Sequence, residues 1–347
     1  MKFLVIRRDN IGDLVCTTPI FKAIKAKYPE CKLDVLVNSY NELVLVDNPF
    51  VDDIFVYTKS KHRNKNQGFL SHCINQIKLY LKLRKNSYDY VILAGSDFHA
   101  HALNMAKWIK PKHIIGYINE TEKKSAQIDL PAPKLEPRSF HEAEGVFNLL
   151  KTLDIDTKPG ALEIYPVKAA LKEAQNRIET QDFKANINVL GVHISVRRLS
   201  SRWSLEKFED LINKVLDNHP EKKILLFWSP GSADNPMHPG DDEKAEQLLN
   251  KVNSPRVFGF ETDGIPQLVA GLSLCNELIC IDGGATHVGA ALQIPMVCLF
   301  GGGDETRWYP WLVPNVLLQP PSKVAEDLSS DDVYNGYIEL MEKIKRK

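Results

Sequence analysis

The chain has 347 residues, 44% of them hydrophobic and 25% charged, an ordinary globular balance but too long for one core, because single cores stop growing near ~250–300 residues. Forty-four basic residues stand against 44 acidic ones, so no net charge attracts nucleic acid, no nucleic-acid partner is expected, and any basic surface must be local. The six cysteines (Cys16, Cys31, Cys73, Cys275, Cys280, Cys298) make no CxxC pair and no zinc spacing, which reads as reduced core thiols. The opening MKFLVIRRDN is too short an apolar run for a signal peptide, and no stretch is long enough to span a membrane. A cytoplasmic protein is expected, one still able to sit peripherally on the cytoplasmic face of a membrane.

Short aliphatic and β-branched runs alternate with amphipathic stretches throughout, the pattern of a doubly wound parallel α/β sheet. In the first half the predicted strands are 3–6, 33–37, 53–57, 90–94 and 113–117, with helices at 17–27 and 69–85. Residues 118–138 are polar and proline-bearing, which predicts a long surface loop before a helix over about 140–153. The alternation restarts after DIDTKPG: strands at 188–194, 223–228, 256–260, 277–281 and 296–300, helices at 205–218, 241–252, 265–274 and 286–292. A final helix over 331–345 carries Val333, Tyr337, Leu340, Met341 and Ile344 on one stripe, which must dock on something. Open α/β sheets take ligands at the carboxyl ends of their strands, so two such sheets facing one another make a cleft.

The segments that can carry chemistry all follow predicted strands. RRDNIGDL (residues 7–14) forms the first strand-to-helix turn, with Asn10, Gly12 and Asp13 at its mouth. Two readings of Asp13 stay open, a general base for group transfer to a hydroxyl and a simple helix cap. In CIDGGATHVGAAL (residues 280–292), Asp282, Gly283, Gly284, Ala285, Thr286 and His287 open a helix rich in small residues. Its N–H groups and dipole suit a diphosphate, although a GG turn also serves merely to reverse the chain. The loop HISVRRLSSRWS (residues 193–204) offers Ser195, Arg197, Arg198 and Arg202, and guanidinium groups grip phosphate oxygens in pairs; a solvated basic loop is the plainer reading. WSPGS (228–232) places Gly231 at another strand end, and Asp263 lies in the loop before the helix at 265. Lys59, Lys61, His62, Arg63 and Lys65 crowd one loop, either a solvated face or an attractor for an anionic acceptor.

Taken together, RRDNIGDLVCTTPIFKAIKAKYP and DGGATHVGAALQIPMVCLFGGGDETRWYP resemble glycosyltransferase family 9, the lipopolysaccharide heptosyltransferases, as do YDYVILAG (88–95) and IGY (115–117). The resemblance implies a GT-B fold of two Rossmann-like domains facing a central cleft: an acceptor domain over 1–155, a nucleotide-sugar domain over 156–325, and a helix at 326–347 crossing back to the first domain. It further implies an inverting transfer of heptose from ADP-heptose to a hydroxyl of the lipopolysaccharide inner core. Asp13 matches the family's base and Asp282 to His287 its donor loop; Asn10, Gly12, Lys59, Lys61 and Arg63 are the acceptor-side candidates by their place and charge in this sequence. No cofactor is implied, and in this scheme helix dipole and guanidinium neutralise the leaving diphosphate without a metal. This chain departs from the family at Ser201, where a lysine is usual two residues before the tryptophan, and at Gly283, where threonine is common. Arg197, Arg198 and Arg202 are the candidate replacements. The alternatives are a GT-B enzyme using a UDP-sugar or another acceptor, and a non-catalytic nucleotide-sugar-binding protein. A Rossmann oxidoreductase is disfavoured because RRDNIGD replaces GxGxxG after the first strand.

Overall fold

The computed structural model describes residues 1–58, 69–136, 139–235 and 239–346, with side chains 69–73 outside the description. Lys59, Lys61, His62, Arg63 and Lys65 therefore lie outside the described residues. The chain divides into two compact units, Met1–Glu163 and Ile164–Lys347.

The first unit runs β1 (Lys2–Ile6), α1 (Ile11–Val15), α2 (Pro19–Lys27), β2 (Lys32–Asn38), β3 (Asp53–Tyr57), α3 (Phe69–Lys85), β4 (Tyr90–Leu93), α4 (Ala100–Ile109), β5 (His113–Gly116), β6 (Leu130–Pro131) and α5 (Glu142–Phe147). Its six strands are parallel in the order β3-β2-β1-β4-β5-β6. Helices cover a parallel sheet on both faces, which is why β1 and β2 are near-continuous apolar runs. Leu4, Ile6, Leu36, Val91 and Leu93 form one core with Leu103 and Ala106 of α4. The sheet differs from expectation in one strand: Leu130–Pro131, inside the predicted loop, pairs with Ile115–Gly116. Two residues are too few to show a period. The expected helix at 17–27 begins two residues later, as α2 opened by Pro19, and a separate short helix, α1, occupies the segment expected as a turn; a tight turn through Thr17 and Thr18 divides the two. The expected helix at 140–153 is α5 followed by a 3-10 turn over Asn148–Leu153.

The second unit begins with α6 (Lys168–Glu179) and continues through β7 (Val189–His193), α7 (Leu205–Asn218), β8 (Lys223–Phe227), α8 (Asp242–Val252), β9 (Val257–Gly259), α9 (Ile265–Leu272), β10 (Glu277–Ile281), α10 (Gly284–Ala291), β11 (Met296–Leu299), α11 (Glu305–Trp308), β12 (Asn315–Leu318) and α12 (Ser330–Lys345). Its parallel order is β12-β11-β10-β7-β8-β9. The apolar stripe of α12 is spent inside this unit: Val333, Tyr337 and Leu340 are fully buried in one cluster with Leu211 and Val215 of α7 and Val316 of β12. That stripe packs within the second unit, on α7, β11 and β12.

In each unit the strand order reverses once, between β1 and β4 and between β7 and β10. Chains diverge there at the carboxyl ends, leaving a crevice where ligands of open α/β sheets bind. Among the described residues no helix is long and apolar enough to cross a membrane.

Candidate functional site

The reversal in the first unit is occupied by a buried arginine. Arg7 leaves the end of β1 fully buried, and its Nη1 donates to the carbonyl of Ala94 just beyond β4 at 2.8 Å. Its Nη2 donates to Asp13 Oδ1 at 2.8 Å and to Glu142 Oε1 at 2.9 Å, while Nε lies 3.3 Å from Asp9 Oδ2. Burial disfavours the guanidinium charge, but Glu142, Asp13 and Asp9 more than offset that and hold its pKa above the usual arginine value. Ser96 Oγ donates to the other Glu142 oxygen at 2.7 Å.

Asp13 is the third residue of α1, and its Oδ2 accepts the Asn10 N–H at 2.9 Å in a capping box. Asp13 is thus not the N-cap of a helix starting near Leu14: the helix starts at Ile11 with Asn10 as its N-cap, and Asp13 closes the box from inside the first turn. Two donors from different directions fix both oxygens, the side chain keeps 17% exposure, and each oxygen retains accepting capacity. Asn38 and Asn41 fix the loop from below by donating to the carbonyls of Arg8, Asp9 and Asn10. Asn10 is exposed, whereas Gly12 is buried within α1 and presents no side chain.

The reversal in the second unit brings Arg198 to the Asp282 turn, Nη1 lying 3.9 Å from Oδ2. Burial pushes the Asp282 carboxyl up to about 6, and Arg198 only partly opposes this. A glycine loop after β11 closes over it: a Cβ on Gly303 would fall 2.4 Å from Asp282 Oδ2 and 3.3 Å from Arg198 Nη1. Gln319 holds that loop by donating to the carbonyls of Gly301 and Gly303. Gly303→Ala is expected to swing the carboxylate out of this position. Gly283→Thr should be tolerated within about 1 kcal/mol, because its Cβ would meet only the Ile281 carbonyl at 3.7 Å. Urea denaturation of the pair, with a crystal structure of the alanine variant, checks both expectations.

A pH prediction follows from Asp282. Its folded pKa, about 6, exceeds the unfolded value near 3.9, so the native state binds the proton more tightly and loses stability as pH rises from about 4 to 6. Asp282→Asn should therefore be more stable than the parent by roughly 2–3 kcal/mol at pH 8 and no more stable below about pH 4. Equal differences at both pH values would contradict the assignment.

Several expected side chains point elsewhere. Thr286 is fully buried; its hydroxyl donates to the Ile281 carbonyl at 3.2 Å and lies 3.4 Å from the thiols of Cys280 and Cys298. It braces the turn from inside, and the backbone N–H groups of Gly284 and Ala285 lie in the first turn of α10, where a helix offers them no carbonyl partner of its own. His287 is also buried, edge-on to Trp308 at 5.6 Å. Ser195 is buried, its oxygen accepting the Ser229 N–H at 2.8 Å. Gly231, at φ 103°, gives its N–H to Asp242, which also takes the Trp228 indole; that loop is stapled to the start of α8. Asp263 is exposed ahead of α9, and Arg197 is exposed beside Arg198.

Ser201 explains the absent lysine. It is fully buried under the glycine loop, where a Cβ on Gly301 would lie 2.7 Å from Ser201 Oγ, and no long side chain fits there. Arg202 turns the other way, lining a cavity of about 520 Å³ with Trp203, Asp241, Lys244 and Glu326, on the β8 side of β7. Of the three arginines, Arg198 is the one at the Asp282 turn. Arg7, Ser96, Glu142, Gly303 and Gln319 were not among the expected site residues. Arg7 stood inside the quoted motif, but its partner Glu142 is 135 positions away.

Two parallel α/β units, each gathering polar groups at its reversal, define a doubly wound α/β protein, a class that takes its ligands at strand ends. The chain belongs to glycosyltransferase family 9 (heptosyltransferase), whose family model matches residues 76–337. The RRDNIGD segment precedes that match. Lipopolysaccharide heptosyltransferase 3 of Escherichia coli K12 is 23% identical over 305 residues, covering 86% of this chain and 82% of that one. A solved family 9 glycosyltransferase of Veillonella parvula superposes with a TM-score of 0.82 at 18% identity, covering 99% of this chain and 97% of its own. The E. coli heptosyltransferase WaaC with ADP-2-deoxy-2-fluoro heptose superposes at 0.75 with 17% identity, covering 98% and 99%. The fold is accordingly GT-B, and the chain is a glycosyltransferase of the heptosyltransferase family.

Proposed function

We infer that this chain is an inverting heptosyltransferase moving heptose from ADP-heptose to a hydroxyl of the lipopolysaccharide inner core. The observation that carries this reading is Asp13, a carboxylate at the strand reversal with both oxygens oriented, by Arg7 and by the Asn10 N–H. Asp13 takes the acceptor hydroxyl proton, and that oxygen bonds to the anomeric carbon from the side opposite the departing diphosphate. The bond from carbon to the phosphate oxygen breaks, ADP leaves, and configuration inverts. Charge on the leaving diphosphate is met by the first-turn N–H groups of α10 and by Arg198. Asp282, at about 6, adds little negative charge beside the diphosphate below that pH, so donor affinity should weaken as pH rises through it.

The donor is supported by the likeness to a heptosyltransferase solved with an ADP-heptose analogue, and the acceptor by a relative named for lipopolysaccharide. Such an acceptor is lipid-linked, which puts the reaction at the cytoplasmic face of the inner membrane. Thermal melting with a panel of ADP- and UDP-sugars tests the donor, since a ligand at 100 times its Kd adds about 2.7 kcal/mol to the folded state. ADP-heptose should raise the melting temperature. A rise with a UDP-sugar and none with ADP-heptose would overturn the donor assignment.

A further inference from the structure

The first unit carries an apolar surface that none of its described residues covers. Ile74, Ile77 and Leu81 of α3 are 49%, 57% and 58% exposed, and their three- and four-residue spacing puts them on one side of the helix. Trp108 of α4, 69% exposed, extends the patch, because its ring stacks on Tyr80 of α3 at 6.5 Å. Large exposed apolar groups are common singly; four gathered on two packed helices mark an interaction surface.

The charge carried by the two helices is basic. Lys78, Lys82, Arg84 and Lys85 are exposed along α3, and Lys107 lies beside Trp108 on α4. Neither FLSHCINQIKLYLKLRK nor AHALNMAKWI contains an acidic residue, although the whole chain balances 44 basic against 44 acidic residues. Segregated cations around aliphatic side chains and an indole match the needs of an interfacial helix. The apolar groups enter the boundary between headgroups and acyl chains, the tryptophan sits at headgroup level, and lysine stems reach anionic phosphates.

We propose that the α3–α4 face of the first unit docks on an anionic phospholipid bilayer. This deepens the reading of a lipid-linked acceptor by naming the surface that meets the membrane. Its test uses neither donor nor acceptor, so it fails or stands apart from that reading.

The full chain is sedimented with phosphatidylcholine vesicles, with and without about 30% phosphatidylglycerol, at low salt and at about 0.5 M salt. Partitioning should be at least about tenfold higher on the anionic vesicles and fall with salt. Trp108 emission should shift to the blue on binding, a signal removed by Trp108→Phe. Ile77→Glu/Leu81→Glu and, separately, Lys78→Glu/Lys85→Glu should each cut partitioning about tenfold while keeping the parent melting temperature, since all four side chains face solvent. Equal binding to both vesicle types, or unchanged partitioning in both variants, overturns the proposal. So does concentration-dependent dimerisation of the parent that Ile77→Glu abolishes without any vesicle binding; the face then belongs to a second copy of the chain.

Discussion

Asp13→Asn is expected to lower turnover by about 10²–10⁴ while donor affinity stays within about twofold, because the amide has no proton-accepting oxygen of comparable basicity. The substitution also has a structural cost that must be measured alongside. Both Asp13 oxygens accept from donors, Arg7 Nη2 on one side and the Asn10 N–H on the other. An amide satisfies only one of them and turns its own NH₂ toward the second, at a cost of about 1–3 kcal/mol. Turnover and donor affinity are therefore read at a temperature where melting shows the variant to be fully folded. Transfer within tenfold of the parent would remove Asp13 from the base role.

Arg7→Met is expected to be the most destabilising single change near this site. It strips the Arg7 guanidinium from Glu142, which is fully buried, and breaking a buried pair from one side costs about 3–5 kcal/mol. For a unit of this size that corresponds to a drop of roughly 10 °C in melting temperature. The double variant Arg7→Met/Glu142→Gln should recover much of the loss, since it removes the buried carboxylate charge that Arg7 balances. Additive losses in that double-mutant cycle would show that Arg7 acts through packing and not through the ion pair. Glu142→Gln alone should leave the fold standing and change the pH profile of turnover, because Glu142 shares with Asp13 the Nη2 group that orients the base.

Much of the architecture was legible because its signals are local. Strands such as 53–57 and 277–281 and helices such as 69–85 and 205–218 were found at their true limits, from apolar runs and helical spacing. The strand at Leu130–Pro131 and the one at Asn315–Leu318 were missed. The first is two residues long, and the second is a four-residue run between prolines at 314 and 320 that pairs only with β11. Pro19 was visible, yet its division of α1 from α2 depends on the hydrogen bonds around Thr17 and Thr18. At the site, the two turns bearing Asp13 and Asp282 were found because glycine and an acid after an apolar strand make a local pattern. Their partners were not, since no pattern links residue 7 to residue 142, or residue 282 to residue 303.

The sequence by itself determined two α/β units with parallel sheets, an acid on the turn after a strand in each, and a last helix with an apolar stripe to bury. Those features rest on periodicity and turn chemistry, which act between residues a few positions apart. Only the tertiary structure decided that Thr286 and His287 point inward, that Arg198 and not Arg202 reaches the Asp282 turn, and that Arg7 binds Asp13 and Glu142 together. It also decided that α12 buries its stripe on α7, β11 and β12. An amphipathic pattern says that a face must be covered and a charge that it needs a partner; which face and which partner follow from the order of strands in the sheet.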